Sequence, residues 1–271
     1  YKNEYGSIIK GFEANKMKFQ NASGGQKFIS FKNGMSALIN AYENSLEDVD
    51  ILKNHPVTAI NNLGKCYEVS FSNGEVLEVD HVILSIPHTV ASELLNDTTL
   101  KQPFAKLKNS SLISVYVAFD VPDSILPAEG TGFITAKNDE LSCNACTWTS
   151  RKWKHTSERG NLLVRLFYKS SHPSFNSLKL MSEDELLSVA LSDISKSLGI
   201  SAEPISYEIT DWTNTMPTYQ ITHPKTVETL ENELANSYPG ILLAGCSYYG
   251  VGIPDCIENG QQTARKIIEQ L

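Results

Sequence analysis

The sequence predicts an α+β to α/β chain in which a mixed β-sheet carries packed helices, and three observations carry that reading. The C-terminal run ILLAGCSYYGVGIPDCIENGQQTARKIIEQL joins an apolar strand, Ile241 to Ala244, through a glycine-rich turn to a helix with Pro254 in its first turn. Leu112–Phe119, Asn161–Tyr168 and Ile205–Trp212 are rich in β-branched and aromatic residues and are bounded by turn-formers, so they read as strands of one mixed sheet. Ser182 and Glu185 form an S-x-x-E capping box, and Gly199 stands at the C-cap of the helix they open.

The other elements follow in chain order. Residues 1–25 scatter Ile8, Ile9, Phe12, Met17 and Phe19 among glycines and read as a linker or the tail of a helical region. Met35, Leu38, Ile39, Tyr42 and Leu46 fall at helical spacing and predict an amphipathic helix packed through one face. Val49–Ile60 reads as a strand interrupted by Pro56. Cys66–Phe71 and Val76–Val79 alternate around Ser72-Asn73-Gly74, a hairpin signal. His81–Ile86 is a buried strand ending at Pro87, and His88–Leu95 a short helix burying Val90, Leu94 and Leu95. The capped helix turns Leu186, Leu187, Ala190, Leu191, Ile194 and Leu198 to the sheet, and a further helix opens at Pro224 with Val227, Leu230 and Leu234 inward.

Composition narrows the classes of function. With 41% hydrophobic and 20% charged residues the chain is globular, and no apolar run reaches the ~18 residues that span a bilayer. A net charge of −8 argues against a nucleic-acid partner. The five cysteines are odd in number and scattered, which fits a reducing compartment. Cys143 and Cys146 form a lone C-x-x-C without a second pair, so they read as buried or half-buried thiols, and no metal is expected.

The chemistry points to the C-terminal turn. Gly245, Gly250 and Gly252 let backbone approach a ligand closely, and the free N–H groups at the start of the last helix, near Ile253 and Asp255, carry partial positive charge. Such an end stabilises a phosphate, a carboxylate or the pyrimidine edge of a reduced isoalloxazine. An ordinary strand-turn-helix connection has the same glycines, and Asp255 reads first as a helix-capping residue. There is no Ser-His-Asp pattern, no paired carboxylate site and no phosphate loop, so no catalytic residue is assigned.

The string SYYGVGIPDCIENG resembles the C-terminal flavin-contacting signature of the oxygen-dependent protoporphyrinogen and coproporphyrinogen oxidases, members of the amine-oxidase-like flavoprotein superfamily. DWTNTMPTYQITH, Asp211–His223, is similar to that family's tryptophan, proline, tyrosine and histidine block, with Thr222 where the family usually has glycine. FISFKNGMSALINAYENSL, Phe28–Leu46, is similar to the segment that re-enters the flavin domain. The resemblance implies FAD as cofactor, held by Val57 through its backbone and by Trp212, Gly245, Gly250, Val251, Gly252 and Ile253, with Met216, Pro217 and Tyr219 at the substrate pocket. By residue type alone Val57 and Trp212 are equally core residues. It also implies a Rossmann-like FAD-binding part over 26–90 and 238–271 and a substrate-binding part over 91–237, with residues 1–25 as the tail of a helical substrate-access region.

The implied reaction is oxidation of a porphyrinogen, protoporphyrinogen IX or coproporphyrinogen III, to the porphyrin in haem synthesis, in three two-electron rounds with oxygen as acceptor and hydrogen peroxide as co-product. Cytoplasmic placement with at most peripheral membrane contact is expected. The G-x-G-x-x-G turn of such flavoproteins does not occur, since Gly24-Gly25 has no third glycine at the needed spacing, so a further N-terminal segment is expected to hold the cofactor pyrophosphate, and this chain alone to be inactive. Arg151, Lys152, Lys154, Arg165 and Lys169 are basic residues of the substrate part for which a solvated surface is the default. Two other classes stay open: a flavin amine oxidase, and a non-catalytic binding module.

Overall fold

The computed structural model describes residues 2–15, 29–126, 129–136, 140–157 and 159–269. The expectations for Met17, Phe19, Gly24-Gly25 and the first residues of the 26–90 segment lie outside them. The chain divides into two units, Tyr1–Asp50 and Ile51–Leu271.

The first unit is helical: α1 (Lys2–Tyr5), α2 (Ile8–Ala14) and α3 (Ser36–Ser45). Ser7 caps α2, its Oγ accepting from the Lys10 N–H at 3.0 Å. Helix α3 forms where the apolar period places it, but none of its residues is buried, and Ile39 is 63% exposed. The expected packing of that face is corrected, because a period reveals an apolar stripe and not what covers it.

The second unit runs β1 (Val57–Asn62), β2 (Tyr67–Phe71), β3 (Val76–Val79), β4 (Val82–Leu84), α4 (His88–Leu95), α5 (Thr98–Lys106), β5 (Lys108–Pro122), β6 (Gly132–Ile134), β7 (Ala145–Trp148), α6 (Thr149–Lys152), β8 (Asn161–Lys169), α7 (Phe175–Leu178), α8 (Glu183–Leu198), β9 (Pro204–Thr218), α9 (His223–Ser237), β10 (Ile241–Leu243) and α10 (Ile253–Ile268). The strand expected from Val49 starts only at Val57, just after Pro56, which has no N–H to give a ladder. Strands β1, β2 and β3 form an antiparallel meander. Its β2–β3 turn has the expected form, with Gly74 at φ +87° and the Asn73 side chain accepting from the Glu75 N–H.

Strands β4 and β10 pair in parallel, Val82 with Ile241 and Leu84 with Leu243, across more than half the chain. Gly240 makes the approach to this pair possible: a Cβ there would lie 2.7 Å from both the Asp80 carbonyl and the Tyr67 ring. The Tyr67 hydroxyl accepts from the Gly240 N–H at 3.0 Å. One apolar core fills the space around this pair, drawing Ile60 and Tyr67 from the meander, Leu95 to Leu107 from α4, α5 and the residue after them, and Val227, Leu230 and Leu234 from α9. Val90 on α4 is exposed, contrary to expectation; His88, Ala91 and Leu95 take the inward face.

The larger sheet has the order β6-β7-β8-β5-β9. The fold class stands, but the sheet expected to be mixed is antiparallel in all its described pairings. A second core lies on one face of it. Leu162, Val164, Leu166 and Tyr168 of β8 point inward in strict alternation, and α8 covers them with Leu186, Ala190 and Ile194. The capping box is present in both directions, and Gly199 ends α8 at φ +69°. Among the described residues no helix is long and apolar enough to cross a membrane.

Asp193 on α8 is a buried charge that periodicity would have assigned to an apolar side chain. It is 2% exposed, and its carboxylate accepts from the Ser142 N–H at 3.0 Å, the Cys143 N–H at 2.8 Å and the Tyr168 hydroxyl at 3.3 Å. Three donors thereby tie a loop and the sheet to the helix. Burial, with Asp193 beside it, pushes the Cys143 thiol far up, and burial pushes Cys146 to about 12. Both thiols are therefore protonated and inert, as the lone C-x-x-C suggested. Maleimide at pH 8 followed by peptide mass spectrometry should modify the exposed Cys246 in the native chain and leave Cys143 and Cys146 untouched. Asp193→Ala should destabilise the second unit by about 3 kcal/mol in a denaturant titration, because it strands buried donors.

Candidate functional site

The turn between β10 and α10 is a compact backbone structure. Gly245 (φ +86°) and Gly250 (φ +140°) take conformations that side chains rarely adopt. Tyr248 and Tyr249 N–H groups both bond back to the Gly245 carbonyl, at 3.1 and 3.2 Å. Gly252 is the N-cap of α10, and its N–H donates to Asp255 Oδ2 at 3.2 Å, the half of a capping box that a glycine N-cap allows. Asp255 thus has the capping role read from the sequence. A Cβ on Gly252 would stand 2.7 Å from the Asp255 carboxylate.

Side chains from three other places fix the turn. Asn259 is 8% exposed on the second turn of α10, and its Oδ1 accepts from the Gly245 N–H at 2.8 Å. Ser247 is buried, and its Oγ accepts from the His88 N–H at the start of α4. The Tyr219 hydroxyl bridges the two ends of the turn: it donates to the Cys246 carbonyl and accepts from the Gly250 N–H at 2.9 Å. Its ring lies 4.3 Å from that of His223, whose Nε2 donates to the Tyr248 carbonyl at 2.9 Å. Burial raises the Tyr219 phenol above its ordinary range, so it stays neutral and can both donate and accept. Burial, with His223 and Lys108 nearby, pulls His88 below its ordinary range.

With these bonds made, the N–H groups of Val251 and Ile253 have no partner among the described residues, and their side chains are 56% and 47% exposed. Two free donors thus sit at a positive helix end that already bears the Asp255 carboxylate. Like-charge repulsion from Asp255 disfavours a phosphate there and leaves a carbonyl-type acceptor as the better ligand.

The residues singled out in the sequence separate into groups. Gly245, Gly250, Val251, Gly252 and Ile253 are together in the turn, and Tyr219 joins them through its hydroxyl. Val57 opens β1, half-buried against the β4–β10 core, beside a bulge between it and Ala59. Trp212, Met216 and Pro217 lie on β9, an edge of the large sheet, with Trp212 40% and Met216 37% exposed. Pro217 is tolerated there because an edge strand can lack a donor. Between Trp212 and Met216 the register with β5 shifts, Asn214 takes φ +54°, and the side chains of Ser111 and Asn109 bond its N–H and carbonyl at 2.9 and 2.8 Å. Arg151 is taken up by the Asp123 carbonyl at 2.6 Å. Asn259 and Ser247 were not read from the sequence; small polar residues in a glycine-rich run carry no sign of which backbone group they will meet.

Comparison with known proteins follows from this geometry. The family model for flavin containing amine oxidoreductases matches residues 7–268. The coproporphyrinogen III oxidase of Bacillus subtilis (strain 168) is 31% identical over 235 residues, covering 87% of this chain and 50% of that protein. That of Staphylococcus aureus (strain NCTC 8325 / PS 47) is 29% identical over 277 residues, covering 98% and 59%. A crystal structure from Exiguobacterium sp. 255-15, designated a candidate protoporphyrinogen oxidase, superposes with a TM-score of 0.84 at 30% identity, over 100% of this chain and 57% of that one. The chain spans between half and three fifths of the length of these relatives.

The Tyr219 clasp makes a direct prediction. Tyr219→Phe keeps the ring on His223 but removes both bonds, so amide exchange of the peptide spanning 246–252 should rise about tenfold in hydrogen-exchange mass spectrometry. Exchange elsewhere should not change; unaltered exchange at Gly250 would show that the clasp does not hold the turn.

Proposed function

The chain belongs to the flavin containing amine oxidoreductase family, and we propose that it carries the flavin-edge turn and the substrate sheet of an FAD-dependent porphyrinogen oxidase of haem synthesis. The observation that carries this is the 245–252 turn: two free N–H groups at a helix start, beside glycines whose Cβ positions are filled by Asp255. Such a cradle fits the carbonyl edge of an isoalloxazine. FAD, when bound, supplies the acceptor for the hydride equivalents that the substrate loses. The substrate is a porphyrinogen, with coproporphyrinogen III, the substrate in the names of both curated relatives, the first to test; oxygen is the final acceptor and hydrogen peroxide the co-product.

This chain's own residues bind and orient. Val251 and Ile253 offer backbone donors to the ring, Tyr219 and Asn259 hold those donors in place, and Val57 offers backbone to the adenine end. Trp212, Met216 and Pro217 border the substrate. The packing supports a flavin-binding part built on the β4–β10 core and a substrate part built on the sheet between β5 and β9. No acid–base group of this chain is assigned to the reaction.

The test uses protein of the relatives' full length that carries this sequence. It should show a flavin spectrum, and with coproporphyrinogen III under air porphyrin fluorescence should grow and stop when oxygen is removed. Bound flavin without fluorescence from either porphyrinogen would favour amine oxidation, and no flavin would favour a binding module. Gly252→Val should lower flavin content several-fold, since its side chain displaces the Asp255 carboxylate that caps the helix start and crowds the approach to the turn; full flavin occupancy in that variant would separate the turn from the cofactor.

A further inference from the structure

The face of the large sheet opposite α8 carries an arginine that no described residue pairs with. Register places Arg165 on β8 beside Tyr116 on β5, Phe167 beside Ser114, and Leu112 beside Trp212 on β9. Side chains two apart on a strand share a face, so Arg165, Phe167, Tyr116, Ser114 and Trp212 all project to the side away from the buried Leu162, Val164, Leu166 and Tyr168. The Arg165 guanidinium lies 4.8 Å from the Tyr116 ring centre and 4.6 Å from that of Phe167. Its Nε is buried and unbonded, and no hydrogen bond or ion pair joins the side chain to any described residue. Next to it Ser114, 0% exposed, has an Oγ with no partner either.

Both groups are costly as they stand. A guanidinium partly withdrawn from water loses hydration that stacking on rings only partly restores, and a buried hydroxyl without a partner bears its full desolvation penalty. In a chain with net charge −8, carboxylates were available to pair with Arg165, yet none does. An anion from outside, arriving with the two acceptor oxygens that a guanidinium fork matches, gives Arg165 the partner the chain does not. The face carries the aromatic rings of Tyr116, Phe167 and Trp212 together with Leu112, while Thr147 stands opposite Arg165, Thr210 opposite Ser114, and Glu208 lies one strand beyond Arg165, opposite Tyr116. From Arg165 to the Trp212 row it extends about 14 Å along the strands and about 10 Å across them, room for a flat macrocycle.

We propose that Arg165 is a substrate-binding residue that receives a peripheral carboxylate of a flat tetrapyrrole, with Trp212, Phe167 and Tyr116 as the surface the macrocycle lies on. This rests on the porphyrinogen reading and adds to it the residue that reads the acidic side chain. Arg165 touches the ligand's rim and takes no part in electron transfer.

The test uses full-length protein and two probes, coproporphyrin III, which bears carboxylates, and its tetramethyl ester, which bears none, in the same detergent. Arg165→Met should weaken coproporphyrin binding, read by Soret shift, about tenfold or more, with the ester unaffected, and should raise KM for coproporphyrinogen III while kcat stays within about twofold. Arg165→Lys, which keeps charge but not the fork, should fall between, and carries the test should the Met variant not fold. Equal affinities of wild type and Arg165→Met for coproporphyrin, or an equal loss for acid and ester, would overturn the proposal. An enzyme that oxidises coproporphyrinogen III with an unchanged KM in Arg165→Met refutes the proposal and leaves the reaction standing. Carboxylate-dependent, Arg165-dependent porphyrin binding without oxidation refutes the reaction and leaves the proposal standing.

Discussion

The parallel pairing of β4 with β10 is the contact on which the rest of the second unit depends. Each strand contributes three residues, and they come from positions 82–84 and 241–243. So short a ladder is not stable alone, and the apolar core around it holds it: Tyr67 closes over Gly240, while α4, α5 and α9 pack around the strands. Because β10 is fixed in this way, the chain leaves it at one place and in one direction, and the 245–252 turn begins there.

That turn shows how a small site can be rigid while keeping donors free. Most of its polar groups are committed: to Asn259, Tyr219, His223, His88 and Asp255 from around it, and to each other within it. Each committed group removes freedom from the backbone, so the uncommitted N–H groups of Val251 and Ile253 are held rather than mobile. Asp255 adds a limit of another kind. By occupying the positive helix end it leaves that end suited to a neutral acceptor more than to a full anion.

The two cores are joined by the β5–β9 ladder. Strand β5 starts beside Leu107 in the β4–β10 core and runs to Phe119 in the core beneath α8, and β9 returns to the segment holding Tyr219 and His223. The irregular register at Ser111 and Asn214 sits between the two, where a bulge re-aims the strands from one core to the other. Trp212 on one side of the bulge thereby faces with Arg165, while Tyr219 beyond it reaches the turn.

Much of this was legible in the residues. The hairpin at Asn73-Gly74, the capping box of α8 with Gly199, and the strand-turn-helix at the C-terminus follow from local chemistry: a positive φ needs glycine, a helix start needs an acceptor, and an apolar run of three or four residues needs burial. The turn residues Gly245, Gly250 and Gly252 and the aromatic block Asp211–His223 were marked in the same way. What the sequence could not supply was any relation between distant groups. That Tyr219 grips the turn rather than only lining a pocket, that Asp193 is buried on three donors, that Val90 faces out and His88 in, and that Arg165 shares a face with Trp212 without a carboxylate to pair with, all depend on strand register and core packing. Those are set by long-range burial, and a local pattern of residues carries no record of them.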